Sequence, residues 1–304
     1  MNHKLVALLI VGIIASGLIY THPAYAHNFG GDESASWLAK VSEIKTEANF
    51  ISKHVGQKDV IGYYSDALGE YWNVNDTREM GEGNTLLVIE IPTTINTTIA
   101  DAQAGNQSSV NDDVTKLGGY LDESVPVRVN KDKLNNSTVQ ALSVTFVLKE
   151  SLEKYGDAIN ATVNLNDMSQ MSMNMSSGGA MKGMSSGMSM ATPVVDQNKY
   201  ENAIGLATAA QNMFADVATK NPDKSDANGK ISTAFTKLLQ DLNNKADAQT
   251  IMNDVHVGIH PVFIDGYGLN LVSPVPEFQL PAVLIIISIA GVVLATRFKS
   301  NLGF

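Results

Sequence analysis

The stretch SASWLAKVSEIKTEANFISKHV, residues 34–55, decides the fold. Trp37, Val41, Ile44, Ala48, Ile51 and Val55 recur at alternating steps of four and three, which returns each side chain to one stripe of an α-helix. Asp32 or Ser34 can cap its start and Gly56 its end. The same spacing runs through Val110, Val114, Leu117 and Leu121, and through Val144, Leu148, Leu152, Tyr155 and Ile159. It returns in Tyr200, Ala203, Ala207, Ala210, Phe214 and Val217, and then in Ile231, Phe235, Leu238 and Leu242. None of these helices is apolar all round, so each must bury one stripe against neighbours. The expected fold is all-α, an antiparallel helical bundle.

One segment resists this pattern. TLLVIEIPTTINTTIAD, residues 85–101, is rich in β-branched residues and carries Pro92, so a strand and a kinked helix both fit it. The four-residue step of Leu87, Ile91, Ile95 and Ile99 favours a helix bent at Pro92.

The ends read as membrane-directed. MNHKLVALLIVGIIASGLIYTHPAYA has Lys4 before an apolar run and closes on Ala24-Tyr25-Ala26, the pattern of a signal peptide cleaved after residue 26, with an uncleaved N-terminal anchor as the alternative. Near the other end, Leu280 to Ala295 is uncharged and apolar, and Arg297 and Lys299 follow at once. A span takes about 20 residues and tolerates about 17, so a short transmembrane helix at 280–298 is expected once the flanking Phe298 is counted, with a buried core helix as the alternative. Arg297 and Lys299, just beyond the apolar run, favour a cytoplasmic tail, 299–304, and a body outside. Between the ends lie a helical half at 27–165, a Met-rich linker at 166–195, a second helical half at 196–265, and a linker at 266–279. TKLGGYLDES at 115–124 and TKLLQDLNNK at 236–245 share Thr-Lys-Leu and a later Leu, a faint echo that would fit a duplication.

Pro276-Glu277-Phe278, the apolar helix and the basic tail together resemble the PEF-CTERM sorting signal of archaeal surface proteins. That resemblance implies an archaeosortase as partner and removal of the tail. Gln279 stands where the archaeal pattern has Gly. Residues 34–124, with HVGQKDVIGYYSDALGEYWNVND followed by AGNQSSVNDDVTKLGGYLDES, resemble the helical modules of imelysin-like proteins and of iron-permease extracytoplasmic regions. This second likeness implies an association with metal uptake and assigns no residue.

Charge and composition agree with exposure outside the cell. The whole chain carries a net charge of −10. Without Lys4, Arg297, Lys299 and Glu277, 18 basic and 30 acidic side chains remain, near −12. Such a surface repels nucleic acid phosphates, so no nucleic acid partner is expected. Glycosylation sequons start at Asn75, Asn96, Asn106, Asn135, Asn136, Asn160 and Asn174. With no cysteine there is no disulfide framework, thiolate metal site or Cys nucleophile.

The chemistry concentrates in MSQMSMNMSSGGAMKGMSSGMSM, residues 168–190. Ser, Gly and Met lack the branched and aromatic groups that offset chain ordering, so a disordered loop is expected and packing does not explain the methionines. Thioether sulfur is a soft, uncharged ligand that favours Cu(I). Met168, Met171, Met173 and Met175 form one group of four, and Met181, Met184, Met188 and Met190 a second. The M-x-M-x-M at 171–175 resembles the Mets motifs of extracellular copper transporters and copper-resistance proteins. A spacer, a sacrificial antioxidant patch and a sticky partner surface are the competing readings.

Histidines extend the ligand set. His256 and His260 in DVHVGIHP are four apart, on one helical face if the helix survives to Pro261, although Pro261 disfavours helical geometry at His260. After cleavage His27 would begin the chain and offer its amine and a ring nitrogen to one ion. His54 reads as a helix-end residue. No nucleophile elbow, phosphate loop or cofactor fingerprint is present, and Asp and Glu read as solvated helix faces, so no enzyme is expected. These readings converge on a cell-surface protein, single-pass anchored, that captures or buffers copper and works with membrane copper proteins. A structural or adhesive surface protein and an accessory subunit of a membrane copper enzyme are the alternatives.

Overall fold

The computed structural model describes residues 32–72, 74–166 and 191–269, and these are helices and connecting turns with no strand among them. The expected signal peptide, residues 270–279 of the expected linker with its PEF motif, the expected span at 280–298 and the expected tail lie outside the described residues, whereas residues 266 and 267, read as linker, are helical. Among the described residues no helix is long and apolar enough to cross a membrane.

Helix α1, Glu33–Lys53, follows residues 34–55 closely. Asp32 accepts hydrogen bonds from the amides of Ser34 and Ala35, and the chain turns away at Gly56, whose φ of 85° suits a residue without Cβ. Next come α2 (Lys58–Tyr71), α3 (Val74–Gly83), α4 (Thr85–Gln103) and α5 (Gln107–Arg128). The ambiguous 85–101 segment is therefore helix, with Pro92 inside it. Its threonines fit because their hydroxyls donate back along the helix: Thr94 to the Glu90 carbonyl and Thr98 to the Thr94 carbonyl, each at 2.7 Å.

A short turn, α6 (Lys131–Leu134), leads to α7 (Ser137–Ala158), capped by Asn136. After residue 191 come α8 (Gln197–Lys220), capped by Asp196, and α9 (Ser225–Asn243). Then α10 (Ala248–Asn253), a π-helical stretch (Asp254–Ile259) and α11 (His260–Tyr267) run end to end.

Two cores result. Trp37, Val41, Ile44, Ala48 and Ile51 of α1 pack with Ile61, Leu68, Ile91, Leu117 and Leu121 in the first, which ends at Val129. The second begins at Val139 on α7 and gathers α8, α9 and the final helices around Phe214, whose ring lies 5.5 Å from Phe263 and 6.0 Å from Phe235. Helix α1 also serves the second core through Ala35 and Ala39, so its two apolar faces join the lobes. Where α1 crosses α8, Gly205 lies against Phe50, and any Cβ there would overlap the ring.

Candidate functional site

The last helical run is irregular because of Pro261. Proline has no amide hydrogen, and inside an α-helix its ring presses on the carbonyl four residues earlier, here Val257. The π-helical turn at 254–259 widens the helix just before this point. The expected loss of helical geometry at His260 does not occur: its φ and ψ are −58° and −44°. The wider turn absorbs the proline and carries the helix through.

This geometry brings His256 and His260 together. Their Nδ1 atoms are 3.1 Å apart and their rings meet at 63°. The other nitrogen of His256, Nε2, lies 2.7 Å from the Leu165 carbonyl oxygen. A carbonyl only accepts, so Nε2 carries the hydrogen and, in the neutral ring, Nδ1 holds the lone pair. The His260 Nδ1–H then donates to it. Burial, with His256 as neighbour, pushes the His260 pKa down to about 3.

Leu165 is also the root of the Met-rich segment. Asn166 donates to the Lys149 carbonyl of α7, and three residues after Leu165 comes Met168. On the returning side, the Thr192 amide bonds the Lys245 carbonyl at 2.8 Å, and the Val195 and Asp196 amides share the Ala158 carbonyl. Met168, Met171, Met173, Met175, Met181, Met184, Met188, Met190 and His27 lie outside the described residues. Among the described residues no three His, Asp or Glu side chains stand close enough to hold an ion between them. Of the ligands expected from the sequence, His256 and His260 alone can be placed, and they are adjacent. His54 caps the end of α1, with Nε2 3.4 Å from Glu201.

The reading of Asp and Glu as solvated needs correction. Glu43, Glu47 and Glu150 are buried where α1, α7 and α8 meet. Lys154 reaches Glu150 at 3.1 Å, and the Asn202 amide donates to both Glu47 oxygens at 2.7 and 2.8 Å. Burial, reinforced by Glu150, pushes the Glu43 pKa up to about 8. Burial raises Glu47 to about 7 against the opposing bond from Asn202. Lys154 is penalised by burial too, yet Glu150 beside it holds its pKa above the usual lysine value. Burial thus holds both the Glu43 and Glu47 carboxyls toward the protonated form. Its signal was present in the spacing: Ala35, Ala39, Glu43 and Glu47 share the second stripe of α1, a stripe that has apolar neighbours only if the helix is buried on two sides.

An open groove of about 750 Å³ runs along the α1–α8 crossing, with Lys45, Lys53 and His54 on one wall and Glu201 and Asp216 on the other. Compared with known protein families, curated proteins and solved structures, the chain shows no match.

Proposed function

We propose that this is an extracytoplasmic, membrane-anchored protein that captures or buffers copper through its Met-rich segment, with His256 and His260 as nitrogen ligands. The observation that carries this reading is the histidine pair hydrogen-bonded to Leu165, three residues before the first methionine of the segment. Soft thioethers and neutral imidazoles are both ligands that need no charge, which suits Cu(I) in an environment without thiolates. The acidic chain, the apolar run from Leu280 to Ala295 and the exposed sequon asparagines Asn96, Asn106, Asn135, Asn136 and Asn160 support an anchored surface location. An archaeosortase acting on the PEF segment and a membrane copper protein as recipient complete the proposal.

The test is titration of the full chain in detergent with Cu(I) against a competing chelator. Replacing all eight methionines of 168–190 with Leu is expected to remove most bound copper while leaving the helical circular dichroism unchanged. Unaltered copper stoichiometry in that variant would refute the reading.

A further inference from the structure

We infer that His256 and His260 bind one late first-row transition cation through both Nδ1 atoms, as a cis pair occupying two positions of a four-coordinate site. The inference rests on the metal-binding reading above and specifies the ligand atoms and geometry.

The separation of the two nitrogens selects the geometry. With metal–nitrogen bonds of about 2.0–2.1 Å, two nitrogens 3.1 Å apart subtend an angle of about 100° at the ion. That angle suits tetrahedral or cis square-planar coordination. A linear two-coordinate cuprous ion needs its nitrogens about 4 Å apart and would have to push the rings away from each other. The pair therefore leaves two positions to be filled by other donors. Imidazole nitrogen suits copper and zinc, whereas calcium and magnesium take oxygen ligands.

The surroundings are those of a held ligand. His256 is 5% exposed, and its Nε2–H bond to the Leu165 carbonyl fixes the ring and directs the Nδ1 lone pair at His260. The i, i+4 spacing on a π-helical turn is a local departure from α geometry of the kind that recurs at functional sites.

Proton balance needs no release. In the metal-free pair His260 carries its hydrogen on Nδ1. On binding, that hydrogen leaves Nδ1 and solvent supplies one to Nε2, so the ring stays neutral and only its tautomer changes. His256 keeps its hydrogen on Nε2 throughout.

This tautomer switch is the readout. Long-range proton–nitrogen correlation spectra of the full chain, labelled with ¹⁵N-histidine in detergent, should show His260 as the Nδ1–H tautomer without metal. At one equivalent of Zn²⁺, a diamagnetic probe, both histidines should show Nε2–H with Nδ1 bound. His260→Gln should weaken Zn²⁺ binding tenfold or more. Ligation through Nε2, or unchanged affinity in His260→Gln, overturns the inference. The variant with all eight segment methionines changed to Leu separates the two claims. If it keeps the Zn²⁺ tautomer switch and loses Cu(I), both stand; if it keeps the switch and all its Cu(I), the copper-capture reading falls and the histidine site remains.

Discussion

At the scale of single residues, Glu43 and Glu47 are the least expected side chains in the molecule. Each is a carboxyl whose folded pKa, about 8 and about 7, lies above its unfolded value near 4.5. Between those values the folded chain binds more protons than the unfolded one, so stability is greatest at the acid end and is lost as pH rises toward 8. The limiting slope is about 1.4 kcal/mol per pH unit for each group. His260 works in the opposite sense, losing its contribution as pH falls from 6.5 toward 3. Denaturant unfolding between pH 7 and 8 is therefore governed mainly by the carboxyls, because His260 is by then largely neutral in both states. Stability should fall with pH in the parent chain, and the fall should flatten in Glu43→Gln and Glu47→Gln. Gly205→Ala should cost about 1–3 kcal/mol in the same assay, because the added methyl meets the Phe50 ring. The acid cluster escaped a reading by composition because charged side chains are normally solvated, and single-stripe periodicity conceals a helix buried on two sides.

At the scale of elements, the 3.6-residue pattern found α1, α5, α7, α8 and α9, and the caps Asp32 and Gly56 were legible as residue types. Capping yields a direct check. Asp32→Ala should destabilise the fold by about 1 kcal/mol in thermal or denaturant unfolding, whereas Asp32→Asn, which keeps a side-chain acceptor, should cost much less. The final run was harder. Pro261 signals a helix boundary in sequence, but buried Val255, Ile259 and Phe263 hold the chain on the second core, and the π turn reconciles the two demands. Tertiary packing overrode the local signal, a result that no window centred on DVHVGIHP contains. The β-branched 85–101 helix is the same lesson in milder form: Ile91 and Ile95 are buried in the first core, and that burial outweighs strand propensity.

At the scale of the whole molecule, the two cores are not independent, since α1 supplies side chains to both. The only tryptophans, Trp37 and Trp72, sit on the first core with ring centroids 6.1 Å apart. Their fluorescence reports that lobe, while far-ultraviolet circular dichroism reports all the helices. The two signals should lose their native values in one coincident transition. Separate midpoints would mean that α1 does not couple the lobes. Ala39→Asp, which places a carboxylate in the second core from the shared helix, should lower the midpoint seen by both probes.

Both ends of the Met-rich segment are tied to α7, through Asn166 to Lys149 in its middle and through Val195 to Ala158 at its end. The helical body thus fixes where the segment leaves it and where the chain rejoins it. Each doubling of a loop's length adds only about 0.6 kcal/mol of closure entropy, so these attachment points place little restriction on the length of chain between them. Insertions or deletions between Asn166 and Thr192 should therefore leave the unfolding midpoint of the helical body nearly unchanged.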